Sequence, residues 1–274
     1  MSQGLLVINA GSSSIKFSVF ALSADGSGLT LVCRGLQENI GENDPHFKAF
    51  DHDGRVLADV RPTPPSGQYR KVGPDHRRRA SDPPSPSSAP ATVAVYDHQA
   101  ALRDLLAWLR ESPDLPDVIA VGHRVVHGAE EYSDPQRLTP DILARLERFI
   151  PLAPLHQPHN LAGIRALLAV QPDLPQVACF DTAFHHGQPE LAKLFALPQA
   201  YRAEGVRRYG FHGLSYEYIA GALAEAMETP ATGRVVVAHL GNGASMCAMR
   251  DGRSMASTMG FTAVEGLPMG TRSG

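Results

Sequence analysis

The chain has 274 residues, 43% hydrophobic and 19% charged, with a formal net charge of −3. This is enough chain for one large or two ordinary globular domains, and the near-neutral balance argues against a nucleic-acid or membrane-surface partner. Three widely spaced cysteines, Cys33, Cys179 and Cys247, with no Cys-x-x-Cys pair, exclude a secreted disulfide scaffold and favour a reducing cytoplasm. No apolar run is long enough to span a bilayer, and the stretch Leu5 to Ile8 lacks the lead-in and cleavage-like end of a signal peptide.

In chain order, residues 5–9 read as a short buried strand, Ala10 to Ser14 as a loop, and residues 15–20 as a second strand rich in β-formers. Further strands are predicted at 30–34, 55–60, 118–122 and 176–180. The last two are apolar without alternation, the pattern of strands covered on both faces. Asp97 can cap a helix carrying Leu102, Leu105, Leu106 and Leu109 on one face and ending before Pro113. Thr139-Pro140 is a cap followed by a first-turn proline; Ile142, Leu143, Leu146 and Phe149 form the stripe, and Pro151 is the stop. Asn160 opens a helix to about Val170, and Ser215 opens one that carries Ile219, Leu223 and Met227 and ends at Pro230. Strands mixed with helices in this order predict an α/β fold.

Residues 61–90 stand apart. They hold eight prolines and five serines, no Leu, Ile, Phe, Met or Trp, and a local excess of positive charge. Such a segment has too little apolar surface to offset its ordering entropy, so it reads as a disordered insertion. Arg77, Arg78 and Arg79 read as a solvated charge run rather than a nucleic-acid patch.

Two segments echo each other. Val7 to Ser14 and Val237 to Ala244 are both a strand, a turn of small residues, then another strand. Each can open one of two related domains with phosphate-holding turns facing a cleft. In the first, Asn9-Ala10-Gly11-Ser12-Ser13-Ser14-Ile15-Lys16 offers backbone N–H groups, hydroxyls and a cation to an anion, although an ordinary hairpin turn has the same composition. It is neither a dinucleotide fingerprint nor a P-loop.

Other segments carry chemistry in their residue types. In Gly122-His123-Arg124-Val125-Val126-His127-Gly128, an arginine at the end of an apolar strand presents a fork suited to carboxylate or phosphate, or to a structural aspartate. His123 and His127 have a metal pair's spacing only on a helix, and a strand end makes them diverge. Asp181, just past an apolar strand, sits where open α/β sheets bind ligands. It can hold Mg²⁺ through water, orient an arginine, or cap a helix. His212, beside glycine at a helix start, can donate to a phosphoryl oxygen.

Taken together, INAGSSSIKFSVF, GHRVVHG, LAPLH, FDTAFH, RRYGFHG, HLGNGAS and GFTAVEGLPMGTRSG, in this order over nearly the whole chain outside 61–90, resemble the acetate kinase family of the acetate and sugar kinase/actin superfamily. The resemblance implies duplicated ribonuclease H-like, actin-like ATPase domains with mixed sheets, one at 1–182 and an incomplete second, nucleotide-binding one at 183–274. It implies transfer of the γ-phosphoryl group between ATP and acetate, with ATP/ADP and Mg²⁺ or Mn²⁺ as cofactors, in a cytoplasmic homodimer.

It also implies roles. Asp181, Arg124, Arg272 and His212 correspond to catalytic positions. Asn9, Ser12, Ser14 and Lys16 correspond to the first phosphate loop, and His239, Leu240, Gly241, Asn242 and Gly243 to the second. Arg124, Val126, Leu155, His156 and Phe211 correspond to the acetate site, and Asn9 and Asp181 to the metal side. The chain departs from the family in Ala263, where the pocket usually has proline, in the 61–90 insertion, and in stopping at Gly274. The resemblance sets an adenosine-binding segment and a metal-binding glutamate beyond that point, so the chain as given is expected to bind ATP poorly. The alternatives are a propionate or butyrate kinase and a non-catalytic nucleotide-binding fragment; a sugar kinase needs an aspartate base, against which paired arginines argue.

Overall fold

The structure, a computed structural model, describes residues 2–62, 69–71, 92–94, 96–226 and 233–270. The chain divides into two compact units: residues 1–6, 11–118 and 165–173 form the first, and residues 7–10, 119–164 and 174–274 the second.

The first unit is built on an antiparallel meander. β1 (Gln3–Ala10) contributes its opening residues, and β2 (Ile15–Leu22), β3 (Leu29–Glu38), β4 (His46–Asp51) and β5 (Val56–Val60) follow with each strand beside its predecessor. Alternation sends Ile15, Phe17 and Val19 inward and Lys16 outward. Phe17 stacks on Phe47 at 5.8 Å, and Trp108 meets both rings edge-on at 6.2 and 5.2 Å. Such pairs add about 0.5–1.5 kcal/mol each to the burial itself. Trp108 comes from α1 (His98–Glu111), which Asp97 caps by accepting from the Ala100 N–H at 2.8 Å. Its predicted leucine face is buried throughout.

Two short strands, β6 (Tyr69–Lys71) and β7 (Thr92–Ala94), pair antiparallel with each other. Most of the expected disordered insertion, residues 63–68 and 72–90, lies outside the described residues.

In the second unit, the last residues of β1, then β8 (Asp117–Val125), β10 (Gln176–Phe180) and β9 (Gln136–Arg137) lie side by side. β10 runs parallel to β8 and antiparallel to β9, so the sheet is mixed. β8 and β10 alternate between buried and more open positions. The expectation of equal cover on both faces is corrected: Val121, His123 and Val125 of β8 and Gln176, Ala178 and Phe180 of β10 are sealed, with Ile119 exposed where that face begins, while Val118, Ala120, Val177 and Cys179 on the alternate positions are only partly covered.

α2 (Pro140–Glu147) starts at the Thr139 cap as predicted. Pro151, however, sits inside a following 3₁₀ turn, Ile150–Leu152, rather than ending the helix. α3 (Gln157–Val170) begins three residues before Asn160. Short helices α4 (Glu190–Lys193) and α5 (Gln199–Ala203) lead to α6 (Gly213–Ala226), which begins two residues before Ser215. The helix's expected end, Met227 to Pro230, lies outside the described residues. A three-stranded antiparallel sheet of β11 (Arg234–Leu240), β12 (Ala244–Arg250) and β13 (Arg253–Ser257) completes the unit. The fold is α/β with a mixed sheet, of the actin-like ATPase class. No helix among the described residues is long and apolar enough to cross a membrane.

Candidate active site

Parallel pairing of β8 and β10 aligns Arg124 with Cys179 and Val125 with Phe180. The chain leaves both strands at the same end, so Arg124 and Asp181 meet there, and the Asp181 N–H also donates to the Val125 carbonyl at 3.1 Å. The guanidinium grips Asp181 with Nη2 at 2.6 Å from Oδ2, and with Nε at 3.0 and 3.1 Å from Oδ1 and Oδ2. Its Nη1 donates to Asn9 Oδ1 at 3.3 Å. Asp181 is 2% exposed, whereas the Arg124 side chain is 33% exposed. The buried carboxylate therefore aims a cation that still reaches solvent, and it raises the guanidinium pKa further.

Buried amides hold the strand ends. Asn160 accepts from the Val126 N–H at 3.0 Å and donates to the Ala10 carbonyl at 2.8 Å. Gln157 accepts from the His127 N–H at 3.2 Å and donates to the His127 carbonyl at 3.1 Å. Thr182 Oγ1 accepts from the Gly128 N–H at 3.1 Å. Each leaves a backbone group satisfied where water has no access.

An apolar cluster lies on the same unit. Val126, Ala153, Phe211 and Met259 form its buried part, with Tyr209, Ala263 and Met269 packed on it. Of the residues matched to the acetate site, Val126 and Phe211 are here; Leu155 is 70% exposed and is not a member. His127 backs the cluster, edge-on to Tyr209 and Phe211 at 4.6 and 5.5 Å. Its Nδ1 accepts from the Ala129 N–H, and burial pushes its pKa down to about 4.

The Phe211–His212 turn is fixed from behind. His185 Nε2 donates to the Phe211 carbonyl at 2.9 Å, while its Nδ1 meets Ser254 Oγ at 2.8 Å, which in turn accepts from Gln188. His212 takes a left-handed φ of 60°, a conformation that costs a non-glycine residue about 1 kcal/mol or more and recurs at functional sites. Gly213 follows with its N–H on the Asp181 carbonyl at 2.8 Å, where a Cβ would lie 2.2 Å from that oxygen.

His212 stacks on His239, centroids 4.1 Å apart. Burial, then His239, then Arg124 push the His212 pKa down to about 4, against an upward pull from Asp181. Burial first and Arg124 second also lower His239 and His156. Three imidazoles thus sense the Arg124 charge and are held neutral around it. Beyond His239, the turn Leu240-Gly241-Asn242-Gly243 closes through Gly241 N–H to Gly243 O at 3.0 Å.

Ser12, Ser14 and Lys16 belong to the first unit. Their loop is closed by the Gly11 N–H on Ser14 O at 2.8 Å and braced by His98 on the Gly11 carbonyl at 2.8 Å. Arg272 lies outside the described residues.

The family model of the acetokinase family matches residues 78–274. The chain belongs to the acetokinase family. An acetate kinase of Rhodopseudomonas palustris is 47% identical over all of this chain and 61% of its own length. Solved structures of a Francisella tularensis propionate kinase and a Porphyromonas gingivalis acetate kinase, both 32% identical, superpose with TM-scores of 0.78 and 0.75. Each matches all of this chain and 61% of its own. The chain thus spans about three fifths of the length of these relatives.

Around this candidate site, Asn160, Gln157, Thr182, His185 and Ser245 are structural partners whose contacts no local sequence pattern signals. In the sequence Asn160 looks like a helix start, because an asparagine before an apolar run resembles a cap. Only the tertiary contact with Val126 and Ala10 reveals its use. The His185 signal was the FDTAFH segment itself, where a histidine three residues from an apolar strand invites a search for its partner.

Proposed function

We propose that the chain supplies the acceptor and phosphoryl-transfer side of an acetate kinase, moving the γ-phosphoryl group of ATP to acetate to give acetyl phosphate and ADP. The observation that carries this is the half-open Arg124 cation, aimed by a buried Asp181, on the unit that also holds an apolar cluster and three neutral histidines. An acceptor carboxylate, with a pKa of about 4–5, is ionised at neutral pH and needs no base. The task is to bring two anions together and hold a loose, charged transition state, which positioned donors accomplish.

In this reading Arg124 orients the carboxylate, Val126 and Phe211 cover the methyl, and His212 donates to a phosphoryl oxygen. His156 and the His239–Gly243 turn face the phosphates, and in the first unit Ser12, Ser14 and Lys16 form a phosphate-holding loop of their own. Arg272 supplies the second cation. Among the described residues no three His, Cys, Asp or Glu gather as a metal cluster. A carboxylate and an amide oxygen do suit Mg²⁺, which keeps most of its waters and needs only one or two protein ligands. Asp181 accepts three N–H contacts from Arg124, leaving lone-pair capacity for one water. Asn9 and Asp181 would hold the ion, which when bound neutralises phosphate charge. Two related domains, 1–182 and 183–274, a homodimer and a cytoplasmic location complete the proposal; the last fits the free Cys33, Cys179 and Cys247.

Propionate is the second acceptor to consider, because Ala263 rather than a proline packs on the apolar cluster and leaves room. Acyl phosphate trapped as the hydroxamate, with acetate, propionate and butyrate, tests the reading. It is run for residues 1–274 and for a fusion in which the remaining part of the Rhodopseudomonas relative follows Gly274. Acetate-dependent product is expected in the fusion; none with any acid would overturn the proposal.

A further inference from the structure

The two stacked imidazoles share a construction that phosphoryl transfer alone does not explain. Each sets its Nδ1 on a serine hydroxyl: His212 on Ser245 Oγ at 2.8 Å, His239 on Ser215 Oγ at 3.0 Å. Their Nε2 atoms both look toward the glycine turn. A Cβ at Gly243 would stand 2.9 Å from His212 Nε2, and one at Gly241 would stand 3.9 Å from His239 Nε2. Glycine at 243 therefore keeps open the space in front of His212 Nε2.

Behind Ser245 lies a third group. Tyr216 Oη is 2.5 Å from Ser245 Oγ, and both residues are fully buried. Burial raises the Tyr216 pKa, so the phenol keeps its proton. A phenol is a far stronger acid than an aliphatic alcohol, so in this pair Tyr216 donates and Ser245 Oγ accepts. The single hydroxyl proton of Ser245 is then free to point at His212 Nδ1, the best acceptor within reach. An imidazole that accepts at Nδ1 carries its proton on Nε2.

We propose that Ser245, with Tyr216 behind it, is a positioning residue that locks His212 as the neutral Nε2–H tautomer, so that a donor rather than a lone pair faces an anionic oxygen at the Gly241–Gly243 turn. The chain Tyr216 Oη–H to Ser245 Oγ–H to His212 Nδ1 fixes the tautomer before any ligand arrives. With the other tautomer the ring would present a lone pair to a phosphoryl oxygen and repel it. The use of that N–H rests on the phosphoryl-transfer reading above; the tautomer does not.

The experiment labels histidine with ¹⁵N in residues 1–274 and reads long-range ¹H–¹⁵N correlations at neutral pH, with His212→Gln for assignment. His212 is expected as a single Nε2–H tautomer. Ser245→Ala should convert it to a mixture, and Ser245→Thr should restore it. Should Ser245→Ala fail to fold, Ser245→Cys, similar in size but a poor donor, replaces it with the same expected mixture. An Nδ1–H tautomer in the unmodified chain, or an unchanged tautomer in a folded Ser245→Ala or Ser245→Cys variant, overturns the proposal. In the active fusion, Ser245→Ala is expected to lower kcat about 10-fold, less than loss of a whole transition-state donor, with the KM for acetate within about twofold. If the unmodified fusion makes no acyl phosphate, the reaction reading fails, while the tautomer measurement still decides this one.

Discussion

In the first unit the buried side chains are apolar apart from Gln37, whereas the second unit contains the other eleven of the twelve buried polar residues described, Asp181, Asn160, Gln157 and Ser245 among them. Burying a polar group is costly unless it finds a partner. The first unit meets that constraint by avoidance, with Phe17, Phe47 and Trp108 in contact. The second unit meets it mostly by pairing, with His127 Nε2, Tyr132 Oη and Gln176 Nε2 left without a protein partner among the described residues. Each pairing fixes something that water would otherwise loosen: a strand end, the Phe211 carbonyl, a guanidinium. One unit is built for stability, and the other gives up apolar burial at the positions that hold the candidate site.

The comparison breaks most visibly at Arg124. Arg124→Ala should lower turnover in the fusion by about 10²-fold or more, since it removes a charge that the proposed mechanism uses in the transition state. It also strands Asp181, which is 2% exposed, and loss of one partner from a buried pair costs about 3–5 kcal/mol. Acyl phosphate kinetics and urea unfolding check both effects. Near-normal kinetics would remove Arg124 from the mechanism.

A matched pair of variants sharpens the contrast. Phe47→Ala in the first unit should cost about 3–5 kcal/mol, with little change in kcat once folded. Asn160→Ala should cost less, about 2–4 kcal/mol for the two backbone groups it orphans, yet reduce kcat by about 10-fold or more, because the end of β8 that carries Arg124 is released. Unfolding midpoints and kcat for the two proteins decide the matter. Equal kinetic effects would mean that the division between stabilising and site-holding burial is false.

Per ring and per pH unit, the smallest effect is with pH. Burial pushes His123, His127 and His212 down to about 4 from an ordinary 6.5. At pH above 6.5 both folded and unfolded chains hold them neutral, and their contribution to stability is complete. As pH falls from 6.5 to 4 the unfolded chain takes up protons that the folded one refuses, so stability declines. The slope is at most about 1.4 kcal/mol per pH unit for each fully buried ring, and less for the more open His212. Urea midpoints between pH 7 and 4 should show the decline, with a shallower slope in His123→Gln. An identical slope in that variant would remove His123 from the account.

The candidate site residues stand out in the sequence because their types are rare in plain structure. An arginine ending an apolar strand, an aspartate just past another, and a glycine turn after a third each announce a ligand side. The α1 helix was legible to its cap, since Asp97 and the leucine spacing report the same local geometry. Legibility failed where one residue serves two purposes: Asn160 has the local sequence of a helix cap and the tertiary job of a bracket. The alternation of β8 and β10 is hidden in the sequence for a related reason, because apolar side chains on a half-covered face look the same in sequence as buried ones.

By itself the sequence determined the α/β class, the cap and leucine stripe of α1, the Thr139 cap of α2, and which segments carry candidate site residues, since these depend on local periodicity and on residue type. Only the tertiary structure decided that Arg124 is clasped by Asp181, that His212 and His239 stack with their Nδ1 atoms on Ser245 and Ser215, and that Leu155 faces solvent. Those outcomes are set by strand pairing and by which backbone groups are left to satisfy. Both join residues tens of positions apart, and no local pattern encodes the distance between them.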